Sequence, residues 1–435
     1  MKNDKSKSVL SHSQLSTINS QLPKGYKQTE VGVIPKDWEI ISLGRVIENL
    51  LAGVSVNSGK KDIDCESSDY SILKTSSVLG GRFIKSECKP ILPDDLGRAR
   101  LNPKADTIII SRMNTPDLVG ECGYVNSDDP HLFIPDRLWM TQKRQNSRLC
   151  IRWLNYLFSS VDCSKRIKGL ATGTSGSMKN IAKSSFLGLS IPLPPTLAEQ
   201  EAIASALSDA DDSIESLERL IAKKRLIKQG AMQELLSGKR RLPGFEVKHG
   251  YKRTEVGKTP NDWMEKTLSD LAHIKSGESI TSERINQFST FPCYGGNGLR
   301  GYSTRYTHDG KFALIGRQGA LCGNVTFVNG KFYASEHAVV VTAYPNTSIQ
   351  WLSYALKARN LNQFSESSAQ PGLSVIKLNY LLFAAPSTLA EQSAIAQVLS
   401  DMDTEIEALE GRLAKARKIK EGMMQELLTG RIRLI

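Results

Sequence analysis

Two stretches of this chain align without a gap at a spacing of 192 residues, and each reads as a single helix far longer than a globular domain needs. The first runs TLAEQEAIASALSDADDSIESLERLIAKKRLIKQGAMQELLSGKRRL from Thr196 to Leu242. The second runs TLAEQSAIAQVLSDMDTEIEALEGRLAKARKIKEGMMQELLTGRIRL from Thr388 to Leu434. Each opens with Thr-Leu-Ala-Glu shortly after a proline, Pro195 or Pro386, which places Thr196 and Thr388 as N-caps. Glu199 and Glu391, three residues on, are placed to close a capping box.

The apolar residues then alternate at steps of four and three. Ile203, Leu207, Ala210, Ile214, Leu217 and Ile221 are matched by Ile395, Leu399, Met402, Ile406, Leu409 and Leu413, a coiled-coil seam and candidate docking stripe for a partner. Both copies then slip by three residues, resuming at Ile227, Ala231 and Leu235 and at Ile419, Met423 and Leu427, which reads as a stammer. Gly230 and Gly422 sit at matching interior positions, where glycine costs about 1 kcal/mol against alanine, so a close helix approach or a bend is expected there. Gly238 and Gly430 stop the two helices as C′ residues. At 1.5 Å per residue, roughly 40 helical residues span about 60 Å, the length of a spacer.

The repeat extends beyond the helices. GYKQTEVGVIPKDWEIISL begins at Gly25 and GYKRTEVGKTPNDWMEKTL at Gly250, so each unit runs from an opening motif through a variable segment to a long helix. The offset drops from 225 residues at the opening motifs to 192 at the helices, which makes the second variable segment 33 residues shorter. The expected division is a tail over 1–24, a domain over 25–195, a helix over 196–242, a second domain over 243–387 and a second helix over 388–435. Trp38 and Trp263, each behind a Pro-x-Asp, are expected to anchor the first strand of each domain from inside. Short apolar runs such as 107–110, 312–315 and 338–342 lie between Gly/Asn/Ser-rich turns and predict strands, while 151–158 and 349–356 predict helices. The fold class is α+β, with two tandem mixed domains and two long helices related by a pseudo-two-fold repeat.

With 435 residues, 40% of them hydrophobic, the chain has material for two or three cores. A net charge of +12 and a pI near 9.2 favour a polyanionic partner. The seven cysteines are scattered, with no Cys-x-x-Cys and no Cys/His cluster, so neither a disulfide framework nor a zinc site is signalled. No apolar run of about 18 residues exists and the polar first 23 residues hold no signal-peptide core, so a cytoplasmic protein without a membrane partner is expected, with a flexible tail or an accessory helix at its start.

Two predicted strands end on arginine. IIISRMNTP puts Arg112 after Ser111, and ALIGRQGALCGNV puts Arg317 after Gly316. Arginine reads guanine edges and phosphates alike, so both are candidate DNA contacts, with Asn114 and Gln318 beside them. YGGNGLRGYSTRY, from Tyr294 to Tyr306, interleaves glycines with Asn297, Arg300, Tyr302 and Arg305, a composition suited to a loop near a phosphate, yet it lacks the ending of a nucleotide P-loop. GTSGSMKN, from Gly173 to Asn180, adds Ser175, Lys179 and Asn180 just ahead of the first long helix, and SSAQPGLS, from Ser367 to Ser374, takes the corresponding place ahead of the second.

Catalytic and metal-binding constellations are missing. There is no Gly-x-Ser-x-Gly, no His-Glu-x-x-His and no aminomethyltransferase Asn-Pro-Pro-aromatic motif, and the six histidines have no partner at ligand spacing. Asp117 and Glu121 faintly suggest a nuclease, but Gly123 stands where a lysine is needed.

Taken together, the duplicated Gly-Tyr-Lys-x-Thr-Glu-Val-Gly-x-x-Pro-x-Asp-Trp motifs, Tyr294-Gly295-Gly296-Asn297-Gly298, Gly173 to Ser177 and the two Thr-Leu-Ala-Glu-Gln helix starts resemble the specificity subunit of type I restriction-modification enzymes. The resemblance covers nearly everything beyond the tail. It implies two target-recognition domains, each reading one half of an asymmetric bipartite site in double-stranded DNA, and an antiparallel coiled coil of the two conserved helices between them. It also implies two methyltransferase subunits docked on those helices and two translocating nuclease subunits outside them. The chain itself would be non-catalytic, with S-adenosylmethionine, ATP and Mg on the partner subunits. On the residues alone, a self-sufficient DNA modification enzyme and a DNA-independent coiled-coil scaffold remain alternatives.

Overall fold

The computed structural model describes residues 22–59, 69–173, 178–319, 321–365 and 372–434. The chain forms two compact units. One is built from residues up to Ser216 together with those from Ala414 onward, and the other is Leu217–Leu413. Both cuts fall inside a long helix, Leu197–Leu236 or Leu389–Leu427. Each unit therefore owns a domain, the adjoining half of one helix and half of the other.

In the first unit, an opening hairpin pairs Tyr26–Thr29 with Gly32–Pro35. The next strand, Glu39–Ser42, pairs antiparallel with Ser190–Leu193, so the variable segment leaves and returns on neighbouring strands just before the long helix. Between them lies a six-stranded sheet in the spatial order Ile47–Ala52, Leu138–Lys143, Thr107–Ser111, Cys122–Val125, Gly81–Phe83 and Val78–Leu79. Its central strand, Thr-Ile-Ile-Ile-Ser, carries three consecutive buried isoleucines because both its faces are covered. Ile108 and Ile110 pack with Trp139, Trp153, Leu154 and Phe158 on the side of helix Ile151–Ser159, and the same cluster takes in Ile203 and Leu207 from the first long helix and Leu427 and Leu428 from the end of the second. Ile109 faces a separate cluster with Val125 and Met140. Each such buried apolar side chain contributes about 1.5–3 kcal/mol relative to exposure.

The second unit repeats the plan. Tyr251–Thr254 pairs with Gly257–Pro260, and Met264–Thr267 pairs with Leu382–Ala385. Its six-stranded sheet runs Ala272–Ser276, Ala338–Ala343, His308–Gly316, Val325–Ala334, Phe291–Gly295 and Gly298–Ser303. In both sheets the fifth strand runs parallel to the fourth, but the outer hairpin differs in chain order: its edge strand comes first in one unit and last in the other.

The helical seam matches its pattern except where it resumes after the slip. Ile203, Leu207, Ile214 and Ile221, with Ile395, Leu399, Ile406 and Leu409, are buried, and Leu217, Met402 and Leu413 partly so. Within the second unit Ile221 packs against Ile406 and Leu409 across the helix pair, and the ion pairs Lys224–Glu405 and Lys228–Asp403, which step forward on one helix and back on the other, show that the two segments run antiparallel. Beyond the slip the expectation changes. Ile227 and Ile419 are 47% and 51% exposed, whereas Ala231 and Leu235 join the Trp263 core and Leu427 the Trp38 core. Past the exposed isoleucine the stripe returns to a shared core, in which Leu235 clusters with Trp263 of the domain and with Ile395 and Leu399 of the opposite helix, and Leu427 with Trp38, Ile203 and Leu207. Gly230 and Gly422 face open space, with no neighbouring atom among the described residues within 4 Å of where a Cβ would stand, so no close approach among those residues explains them.

The cysteines also depart in part from expectation. Cys122, Cys150, Cys163, Cys293 and Cys322 are free, but Cys88 is disulfide-bonded, which the scattered spacing did not announce. Among the described residues no helix is long and apolar enough to cross a membrane, and no group of His, Cys, Asp or Glu is arranged to hold a metal.

Candidate nucleic-acid interface

The two helix starts show why the Thr-Leu-Ala-Glu-Gln sequence is repeated. The hydroxyls of Thr196 and Thr388 accept from the backbone N–H of Glu199 and Glu391 at 3.1 and 3.2 Å, the N-caps expected. The glutamates do not complete a capping box. Each carboxylate is taken by an arginine from the end of the other long helix: Arg433 on Glu199, and Arg241 on Glu391 at 2.7 and 3.0 Å. The same arginines grip the aspartate of the opening motif, Arg433 on Asp37 and Arg241 on Asp262. A guanidinium with two carboxylates outcompetes a single backbone N–H.

The next residue fixes the domain to the helix. The buried Gln200 carboxamide accepts from Cys150 N–H and donates to the carbonyls of Arg148 and Pro194. Gln392 accepts from Ser348 N–H and donates to the Pro386 carbonyl. Cys150 and Ser348 are the N-caps of the helices Ile151–Ser159 and Ile349–Ala358, so one glutamine per unit pins a domain helix to a spacer helix.

A second clamp recurs about three turns deeper. The Tyr156 hydroxyl donates to Asp211 at 2.9 Å, and Lys420, from the opposite helix, meets Asp211 at 2.6 Å while lying 5.5 Å from the Tyr156 ring. In the other unit Tyr354 donates to Asp403 at 2.7 Å, and Lys228 pairs with Asp403 and lies 5.5 Å from the Tyr354 ring. Burial and the neighbouring carboxylate push both phenols up, keeping them protonated donors. The opening motif is seated in the same repeated way, with the Tyr26 and Tyr251 hydroxyls donating to the carbonyls of Gly430 and Gly238, 3.0 and 3.3 Å away. Those C′ glycines have φ of +70° and +69° and press against Pro35 with Trp38 and Pro260 with Trp263.

With the scaffold fixed, most of the described candidate contact residues lie where strands end, along one edge of each large sheet. Arg112 follows the strand Thr107–Ser111 and Arg317 follows His308–Gly316, and the two occupy the same place by their backbone bonds. Arg112 N–H donates to the Arg137 carbonyl and its own carbonyl accepts from Ile181; Arg317 N–H donates to His337 and its carbonyl accepts from Leu373. Their side chains serve the fold in part. Arg112 lies over the Trp139 ring at 5.6 Å with its Nε buried, and Arg317 donates to the Ser276 hydroxyl at 3.1 Å.

In the first unit Asn114 and Lys179 meet in a short ladder, Met113–Asn114 with Lys179–Asn180, which brings together four of the five candidates. The fifth, Ser175, lies outside the described residues. The Lys179 ammonium caps the Gly173 carbonyl at 2.6 Å, and the Asn180 side-chain oxygen is buried without a hydrogen-bond partner among the described residues. In the second unit Asn297 stands exposed in the turn between Phe291–Gly295 and Gly298–Ser303, next to Gly319, with Gln318 bridging to Gly372. Arg300 is exposed on the edge strand. Arg305 and Tyr302 do not join this group. Arg305 donates to the Tyr333 hydroxyl at 3.1 Å and Tyr302 pairs through its backbone with Asn286, both within the outer hairpin and its supports.

The family model for the type I restriction modification DNA specificity domain matches residues 35–223 and 260–418, most of the chain and both copies of the repeat. The chain belongs to that family. Among curated relatives, the type I restriction enzyme EcoprrI specificity subunit of Escherichia coli is 44% identical over 163 residues, covering 36% of this chain and 40% of that protein. The type I restriction enzyme MjaVIII specificity subunit of Methanocaldococcus jannaschii is 24% identical over 92% of this chain and 94% of its own length. A crystal structure of a type I restriction-modification system S subunit from M. genitalium superposes with a TM-score of 0.62 at 20% identity, covering 90% of this chain and 96% of that one, which establishes the shared fold.

Within this specificity-domain family plan, sequence reasoning missed the polar residues that hold domain to helix: Gln200, Asp211, Arg241 and Lys228 with their counterparts 192 residues on. Alignment of the two helices already displays every one of them as an identical pair. It also missed Arg137 and His337, which share a position but not an identity.

Proposed function

We propose that this chain is the DNA sequence-specificity subunit of a type I restriction-modification complex. Each six-stranded unit reads one half of an asymmetric bipartite site in duplex DNA, and the helices dock two methyltransferase subunits, with two translocating nuclease subunits joining the assembly. On this reading the chain recognises and the partners catalyse, so S-adenosylmethionine, ATP and Mg belong to the partners. The observation that carries the reading is the pairing of sameness and difference: two units share the order of their first four sheet strands, arginine position and helix clamps, yet present Asn114, Lys179 and Arg137 at one sheet edge and Asn297, Gln318 and His337 at the other. Equal scaffolds with unequal edges suit unequal half-sites.

The test is co-expression with the methyltransferase subunits of the same system in a host lacking other modification, followed by mapping of modified bases across the genome. A two-part, non-palindromic motif is the expected result. Replacing the variable segment 43–189 with that of a relative should change one half of the motif and leave the other. A single continuous motif, or none that depends on this chain, contradicts the proposal.

A further inference from the structure

We propose that Arg137 and His337, each beside a strand-end arginine, are base-reading residues at the two sheet edges. The inference rests on the reading of each unit as a DNA-recognition domain and goes one step further, to a residue in each. Arg137 immediately precedes the strand Leu138–Lys143, and His337 immediately precedes Ala338–Ala343, the same strand in the two sheets. Each gives its backbone carbonyl to the strand-end arginine beside it, at 3.1 Å from Arg112 and 2.9 Å from Arg317. The two turns are therefore equivalent sites carrying different side chains.

In the first unit the side-chain environments favour the turn residue over the strand-end arginine. Arg112 is held over Trp139 with a buried Nε, so its guanidinium is already part of the fold. Arg137 is exposed, and among the described residues its guanidinium has neither a hydrogen-bonding nor an ionic partner. The adjacent Asp136 is engaged by the Ser55 hydroxyl instead. A free guanidinium fork at a loop edge suits the O6 and N7 acceptors of guanine in a major groove. The His337 side chain is 41% exposed and its Nε2 lies 3.2 Å from Glu336. An imidazole has no such fork, so the base it reads is held by a single hydrogen bond. Gly296, from the Tyr294–Gly298 loop, lies against the Gln318 and His337 carbonyls, which brings Asn297 to the same edge.

The experiment compares Arg137→Ala, Arg137→Lys, His337→Ala and Arg45→Ala by modified-base mapping after co-expression with the methyltransferase subunits. Arg45 is an exposed cation two residues before the strand Ile47–Ala52, whose start pairs with Lys143 at the other end of the strand that Arg137 precedes, so it serves as the control. Both Arg137 variants should lose the preference for one guanine in one half-site, on the order of 10- to 100-fold between right and wrong base. His337→Ala should blur one position in the other half-site, and Arg45→Ala should change neither. If Arg137→Ala weakens modification at all sites alike and Arg137→Lys restores it, the residue contacts phosphate and the inference is overturned. An unchanged motif in Arg137→Ala overturns it too, while a wild-type bipartite motif in the same experiment keeps the functional reading intact. A wild-type chain that directs no bipartite motif overturns both.

Discussion

Arg433 and Asp37, 396 residues apart in the chain, meet through two hydrogen bonds of 3.0 and 3.1 Å. The same guanidinium binds Glu199, and the trio is repeated by Arg241, Asp262 and Glu391. The last residues of one long helix's tail thus seal the first turn of the other helix and the opening motif of the domain on it. Chain continuity supplies this closure differently in the two units. Arg241 leads directly into the motif it binds, whereas Arg433 reaches a motif almost the whole sequence away.

The two clamps differ in burial, and their energies should differ accordingly. The Arg241 side chain is 8% exposed, against 25% for Arg433, and both glutamates are fully enclosed. Arg241→Met leaves two carboxylates enclosed without a counter-charge and should cost about 3–5 kcal/mol. Arg433→Met lets Asp37 turn to solvent and should cost distinctly less. Urea unfolding of the two variants measures the difference, and equal losses would contradict the burial argument.

Acid should act on the Arg241 clamp first through Asp262. Burial raises this carboxyl, but hydrogen bonds from Arg241 and Val247 N–H prevail and hold it at about 2, below its ordinary 3.8. A depressed carboxyl contributes stability that is complete above the unfolded value and is lost as pH falls from about 4 toward about 2. Glu391 has the opposite sign, since burial raises it against the pull of Arg241, so its protonation does not add to the loss. The gap in urea midpoint between wild type and Asp262→Asn should be widest near neutrality and close across that acid window. A gap that stays constant down to about pH 2.5 would refute the assignment.

The sequence made the helix starts, the stops and the seam legible because capping and heptad patterns are local. Thr196 as N-cap needs only its neighbours. The destination of Glu199 does not, since its partner is 234 residues distant. Strand order escaped for a different reason: several strands are two or three residues long, such as Val78–Leu79 and Gly81–Phe83, and are placed by pairing rather than by pattern. At the sheet edges the two arginines were found because they recur as arginine. Arg137 and His337 share a backbone role without sharing chemistry, and repeat-matching is blind to that.

The tyrosine clamps should behave as coupled units. Lys228 and Asp403 come from opposite helices of one unit and meet beside Tyr354. Lys228→Met and Asp403→Asn should each destabilise, and the double variant should lose less than their sum, with a coupling of about 0.5–3 kcal/mol. Tyr354→Phe should cost about 1–2 kcal/mol by leaving Asp403 one donor short. Strict additivity in the double-mutant cycle would show that the lysine and aspartate are near one another without interacting.

Gly230 and Gly422 give a prediction in which stability and assembly move in opposite directions. Each lies inside a helix with open space where a Cβ would be, three residues after an exposed isoleucine on the same helical face, Ile227 or Ile419. Alanine there should stabilise the free chain by about 0.5–1 kcal/mol per site, because the helix gains propensity and nothing is displaced. Gly238→Ala and Gly430→Ala, with φ near +70° and a proline 2.5 Å from the new methyl, should instead destabilise. If the helices dock methyltransferase subunits as proposed, an exposed Ile with glycine one turn on is a step into which a partner helix can press closely. Gly230→Ala and Gly422→Ala should then raise the melting temperature of the isolated chain while weakening its capture of the methyltransferase subunit, and Ile227→Glu should weaken capture with the melting temperature unchanged. Capture measured at equal strength for wild type and all three variants would remove this face from the docking surface.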